Sequence, residues 1–264
     1  MKIGFIGCGN MGMAMLNGIL ASGMTGREEL IASAKSEATR DKIKHELKIN
    51  LAASNLEIVQ LADIVFLAVK PQYYAAVIAE IKAAARPEQI FVSIAPGKSM
   101  QWLKEQFAAP VKLVRAMPNT PAMVGEGMTA YCVNELVTAQ EKEQTARICA
   151  CFGKAEEVEE GMMDAVTAVS GSSPAYVFLF VEAMADAAVA AGMPRAKAYT
   201  FAAQAVLGSA RMVLETGMHP GALKDMVCSP GGTTIEAVRV LEEKGLRSSV
   251  MEAMKACAEK AGRI

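Results

Sequence analysis

Along the first half of the chain, apolar residues gather into short unbroken runs, and stretches of helical period lie between them. KIGFIG at residues 2–7 is one such run, closed by glycine. Over residues 10–24 methionine, leucine and isoleucine then recur at helical spacing, which predicts strand, turn and helix. ELIASA at 29–34, ADIVFLAV at 62–69, QIFVSIA at 89–95 and VKLVRAM at 111–117 repeat the strand signature, with a polar helix over 36–47 and further helical stretches between the others. Strands that are apolar at nearly every position are buried on both faces. That calls for a mostly parallel sheet with helices above and below it.

The pattern changes near residue 160. Beyond it the chain predicts helices alone, punctuated by SSP at 172–174, GMP at 192–194 and GMHPG at 217–221, with Gly245 and Gly262 stopping the last two. The expected architecture is therefore α/β: a Rossmann-type, mostly parallel sheet over residues 1–160, followed by an all-helical domain over 161–264. Residues 175–193, AYVFLFVEAMADAAVAAGM, approach the length and apolarity of a membrane span. Glu182 and Asp186 in their middle favour a helix packed within a protein or against a second subunit. The long helices lack a clear polar face, which points to a homodimer or a larger homo-oligomer built from dimers.

Composition narrows the class. Of 264 residues, 52% are hydrophobic, enough for a sizeable core, and 27 basic side chains balance 28 acidic ones without a long run of either sign. Neither a nucleic-acid footprint nor a polybasic membrane patch is expected, so the partners should be a small molecule and other copies of the chain. The six cysteines form no CxxC pair and only two histidines are present, so no metal site is expected. With no leader-like segment, a reducing cytoplasm is the expected location.

The chemistry gathers in a few motifs. GCGNMG at residues 7–12 matches GxGxxG between a predicted strand and a predicted helix. Gly7 allows the tight turn, Gly9 lets a pyrophosphate approach the backbone, and Gly12 lets helix and strand pack closely. After the second strand, ASAKSEATR offers Ser33, Lys35, Ser36 and Arg40 as donors where an NAD enzyme would place an acid, so NADPH is preferred, with NADH also open. Lys70 and Pro71 form a short, rigid strand exit, and Lys70 either touches the cofactor or is simply solvated. In RAMPNTPA two prolines would present Asn119 and Thr120 to the nicotinamide side of the crevice, although a plain turn would read the same. CSPGGTTIEA at 228–237 carries more polar groups at a helix start than one cap needs, and either an anion site or a threonine cap would account for it.

GCGNMG, AVKP, RAMPNTPA, SGSSPAYVF and HPGALKDMVCSPGGTTIEAV stand in the order and spacing of pyrroline-5-carboxylate reductases, and the chain resembles that family over essentially its whole length. The resemblance implies an N-terminal Rossmann domain, a C-terminal helical dimerisation domain, and an active site where the helices of one subunit meet the cofactor of the other. It assigns Gly7, Cys8, Gly9, Asn10, Met11 and Gly12 to the cofactor, with Ser33, Asn55, Ala68, Val69, Lys70, Pro71, Ala95, Pro96, Gly97 and Glu160. Around the substrate it places Gly231, Gly232, Thr233 and Thr234, with Met226 nearby. Met226 stands where the family often has asparagine or a similar polar residue, and Pro96 where it more often has glycine.

The implied reaction is hydride transfer from NAD(P)H to the C=N carbon of 1-pyrroline-5-carboxylate, giving proline, with Thr234 hydrogen-bonding the ring nitrogen. His219, ahead of Pro220, is expected to be structural. Two other readings remain at this stage. A β-hydroxyacid dehydrogenase would need a lysine in the helix after the junction, and residues 170–188 contain none. A non-enzymatic dinucleotide sensor would use the threonine turn only as a cap.

Overall fold

The computed structural model describes residues 1–263. The chain begins with β1 (Ile3–Ile6), α1 (Asn10–Ser22), β2 (Leu30–Ser33), α2 (Glu37–Asp41), β3 (Asn50–Leu51), α3 (Asn55–Leu61), β4 (Ile64–Leu67) and α4 (Tyr74–Ile81). It continues with β5 (Ile90–Ser93), α5 (Met100–Phe107), β6 (Lys112–Met117), β7 (Gly127–Val133), α6 (Ala139–Ala150) and β8 (Gly153–Glu157). The strands form one sheet in the order β3-β2-β1-β4-β5-β6-β7-β8, parallel except where β6 meets β7. Because β1 lies between β2 and β4, the chain leaves the sheet in opposite directions on either side of it, and a crevice opens at the carboxyl ends of those strands.

Every residue of β1, β2, β4 and β5 is buried. One apolar cluster joins the sheet to α1 and α6 and includes a parallel stack of Phe5 on Phe66 at 4.7 Å. The other joins the opposite face to α3, α4 and α5, with Phe91 against Phe107. Local sequence supports these elements. Ser54 caps α3 and Ser99 caps α5, while Thr138 and Glu141 form a reciprocal capping box on α6. The polar helix expected over 36–47 is present, but after α2 it widens into a π-type turn at Lys42–Leu47.

Three strands were not foreseen. β3 is two residues long, and β8 (GKAEE) is a half-exposed edge strand with mostly polar side chains. β7 mixes glycine and threonine with apolar residues.

The helical region contains α7 (Met163–Val166), α8 (Ser173–Ala190), α9 (Arg195–Thr216), α10 (Pro220–Val227), α11 (Thr233–Glu243) and α12 (Leu246–Ala261). The compact division of the chain falls after Ser172, twelve residues later than the expected boundary, and the segment from Cys257 onward belongs to the first unit. The reason is physical: Met163 and Ala168 are buried, with Met163 in the core between the sheet and α3, α4 and α5.

Within the second unit α8 packs against α9, yet only Pro174 and Ala185 of α8 are buried. Phe178, Leu179, Phe201 and Leu214 are each about two-thirds exposed in the single chain, at 65%, 68%, 65% and 66%. The helical stretch Glu160–Ala190 is long and apolar enough to cross a bilayer by length and composition.

Candidate active site

Two adjoining hollows run along the carboxyl ends of the central strands. The larger, about 870 Å³, lies over β1, β2 and α4 and is lined by Gly7, Cys8, Ser33, Lys35, Asn55 and Glu80, among others. The second, about 450 Å³, is lined by Asn10, Met11, Pro71, Ala95, Pro96, Met117 and Pro118. Gly9, Ala68, Val69 and Lys70 line both, so the hollows form one elongated cleft.

The glycines at its centre fit a dinucleotide pyrophosphate. Gly7 has φ +88, and a Cβ there would stand 2.6 Å from Val69 Cγ1 and 2.9 Å from Ala68 O. A Cβ on Gly9 would meet nothing within 4 Å, so the space above it is open cleft. Gly12 approaches the Gly7 carbonyl so closely that a Cβ would lie 3.0 Å from its oxygen. Gly9 is also the N-cap of α1 and offers no side-chain cap, leaving the first N–H groups of that helix directed at the cleft. The residues present therefore fit a dinucleotide. Burial pushes the Cys8 thiol up to about 12, so it stays protonated and acts as lining rather than as a nucleophile.

Tyr74, which the sequence did not single out, holds the cleft wall together. Its buried hydroxyl donates to the Leu67 carbonyl at the end of β4 and accepts from the Ile94 N–H at 3.1 Å, tying two lining segments to each other. Replacing Tyr74 by phenylalanine would leave that carbonyl and that N–H without their partner. The expected result is a loss of about 1–3 kcal/mol of stability, read by urea denaturation. An unchanged midpoint would show that neither group depends on the phenol.

Two expected cofactor residues lie elsewhere. Asn119 is buried and does not line the cleft, because its amide donates to Ser170 O at 3.0 Å and accepts from Met128 N–H at 2.8 Å. Glu160 lines a different hollow of about 520 Å³, beside Met100 and Cys132. Its carboxylate accepts from Arg115 at 2.9 Å and from the Met100 N–H, at the start of α5, at 2.6 Å. In the single chain these bonds tie Glu160 to the start of α5. Gly97 follows the lining residues Ala95 and Pro96 in the same turn, with φ +74.

In the second unit, α10 ends at Cys228, whose N–H bonds Lys224 O and Asp225 O, and the chain then folds through Ser229 to Gly232. Gly232 is the N-cap of α11, and no side chain caps this helix. The threonine-cap reading is thereby corrected: Thr233 and Thr234 are the first helical residues, and among the described residues neither hydroxyl has a hydrogen-bond partner. The orphan N–H groups of the first turn and two hydroxyls thus share one helix start. Met226, in α10, is 67% exposed. His219 caps α10, its Nδ1 accepting from the Gly221 N–H at 3.1 Å, which is the structural role expected of it.

Comparison with known proteins agrees with this geometry. Residues 160–264 match the family described as pyrroline-5-carboxylate reductase dimerisation, and residues 2–97 match NADP oxidoreductase coenzyme F420-dependent. The chain is 54% identical over 263 residues to the pyrroline-5-carboxylate reductase of Escherichia coli (strain K12), covering 100% of this chain and 98% of that one. The solved structure of Plasmodium falciparum pyrroline carboxylate reductase with NADP bound is 35% identical, with a TM-score of 0.90 over 99% of this chain and 97% of that one. A Mycobacterium tuberculosis 3-hydroxyisobutyrate dehydrogenase reaches a TM-score of 0.51 at 17% identity, over 88% of this chain and 71% of that one, a likeness of fold alone. The hydroxyacid dehydrogenase reading is therefore set aside. A glycine-rich cleft, an uncapped Gly-Gly-Thr-Thr helix start and identity along the full length place this chain in the pyrroline-5-carboxylate reductase family.

Proposed function

We infer that the protein reduces 1-pyrroline-5-carboxylate to proline and does so preferentially with NADPH. The observation that carries the reading is the start of α11, where free N–H groups and two unpartnered hydroxyls suit a small cyclic imine bearing a carboxylate. Thr233 and the backbone N–H groups hold the carboxylate, and Thr234 hydrogen-bonds the ring nitrogen. The partial charge of a helix terminus contributes about 0.3–2 kcal/mol toward such an anion, so the turn orients the substrate more than it drives the chemistry. When bound, the reduced nicotinamide supplies hydride to the imine carbon. A protonated imine is already electrophilic, and holding the reactants in near-attack geometry accounts for roughly 7–11 kcal/mol of barrier lowering. No buried base is required.

The preference for NADPH rests on the larger hollow. Lys35, Ser36 and Thr39 line it, and β2 ends in Ser33 without a following acid to grip a ribose diol. The exposed apolar faces of α8 and α9 are read as the contact with a second copy, giving a dimer or an assembly of dimers. Six free thiols and a reduced cofactor suit a reducing cytoplasm.

One experiment addresses these points together. Steady-state assays with 1-pyrroline-5-carboxylate should give a higher kcat/KM with NADPH than with NADH, and light scattering on the same sample should give a multiple of the dimer mass. No turnover with the imine would leave the dinucleotide-sensor reading in its place.

A further inference from the structure

The adenosine end of the cleft holds a hydrogen-bond relay. Glu80 in α4 and Ser33 at the end of β2 both line the larger hollow, and Asn55, the first residue of α3, joins them. The Asn55 Nδ2 group donates to Glu80 Oε2 at 2.9 Å, and Ser33 Oγ lies 2.7 Å from Asn55 Oδ1. The chemistry of the three groups fixes where each proton points. A carboxylate only accepts, so the amide edge facing Glu80 must be the NH2, and the edge facing Ser33 must be the carbonyl oxygen. That oxygen also only accepts. Ser33 therefore gives its single hydroxyl proton to Asn55 and turns lone pairs toward the cleft.

Lone pairs at that position suit a ribose 2′-hydroxyl, which donates. They do not suit a 2′-phosphate, whose oxygens accept. We propose that Glu80 is a positioning residue for cofactor choice: by holding the Asn55 amide it sets the direction of the Ser33 hydrogen bond and tempers the advantage that Lys35 and Ser36 give to NADPH. This rests on the reading of the cleft as the nicotinamide dinucleotide site. Without the carboxylate the Asn55 amide is free to turn over, its NH2 donates to Ser33, and the Ser33 proton is released toward a phosphate oxygen. Glu80 is exposed, so shortening it leaves the core packing intact.

The test is fluorescence titration of NADPH and NADH on the intact protein, without imine substrate, for the unmodified chain, Glu80→Ala and Glu80→Gln. Glu80→Ala should shift the ratio of the two Kd values toward NADPH by about tenfold. Glu80→Gln can present either edge of its amide to Asn55, so it no longer fixes the relay and should shift the ratio in the same direction by a smaller factor. An unchanged ratio in Glu80→Ala overturns the proposal. A shift in Glu80→Ala that vanishes at raised ionic strength also overturns it, because loss of negative charge alone would then account for it. The unmodified protein separates this proposal from the readings beneath it. Tighter binding of NADH than of NADPH there would end the NADPH preference while leaving the shift on Glu80→Ala to be read. Failure to bind either dinucleotide would end the reading of the cleft and the proposal with it.

Discussion

Gly9→Val is expected to weaken NADPH binding by on the order of a hundredfold or more while the protein stays folded. The position separates binding from folding because its backbone needs no glycine. Its φ is −70, and a Cβ there points into open cleft with nothing within 4 Å. Two extra methyl groups then occupy the space above the first turn of α1, where the pyrophosphate has to approach. The cost to the fold is the poorer helix cap that valine makes, about 1 kcal/mol, a shift of about 2–4 °C in Tm for a chain of this size. Gly7 would not serve, since a side chain there strains the backbone and collides with Val69. The measurement is a fluorescence titration of NADPH beside a thermal melt. Normal affinity in the valine variant would mean that the glycine-rich turn does not hold the cofactor.

Thr234→Ala should lower kcat/KM for the imine about a hundredfold with NADPH affinity nearly unchanged. Thr234 is half-buried, its hydroxyl has no hydrogen-bond partner among the described residues, and it is the second residue of α11, where alanine is well tolerated. Its loss therefore removes a donor or acceptor for the substrate and little else. Thr234→Ser should keep most of the activity, because it retains the oxygen. A rate unaffected by the alanine change would exclude this hydroxyl from the reaction, and a parallel fall in Tm and activity would trace the loss to folding instead.

The strands with unbroken apolar runs were readable in the sequence because burial on both faces removes polar positions altogether. β8 was not, because the sheet is wet at that edge: it mixes half-exposed and exposed residues and carries Lys154, Glu156 and Glu157, while β7 is largely buried but breaks its apolar run with Gly127 and Thr129. β3 has too few residues to show any period. The compact division after Ser172 was not legible for a similar reason, although the family match begins at residue 160 as the sequence boundary does. Residues 160–172 read as helix, and helical period alone does not reveal that Met163 packs into the core of the sheet.

At the site, backbone requirements were legible and side-chain networks were not. Gly7, Gly9 and Gly12 are dictated by conformation and close approach, and those constraints act within a few residues of sequence. The hydrogen bonds of Asn119 and Glu160 were not legible because their partners, Ser170, Met128, Arg115 and Met100, lie on other elements of the chain. Tyr74 and Glu80 escaped notice for the same reason. Each acts through a bond to a residue on another element, and no local spacing announces it.

The return of the segment from Cys257 onward to the first unit has a consequence for biogenesis. That unit buries Ala261 and brings Gly262 beside Asp164, so it cannot complete its own packing until the whole of Ser173–Ala256 has left the ribosome. During synthesis the end of α12 is therefore the last part of this unit to find its place, and the nascent chain spends that interval with a long apolar helical stretch already made, the state in which a chaperone serves it best.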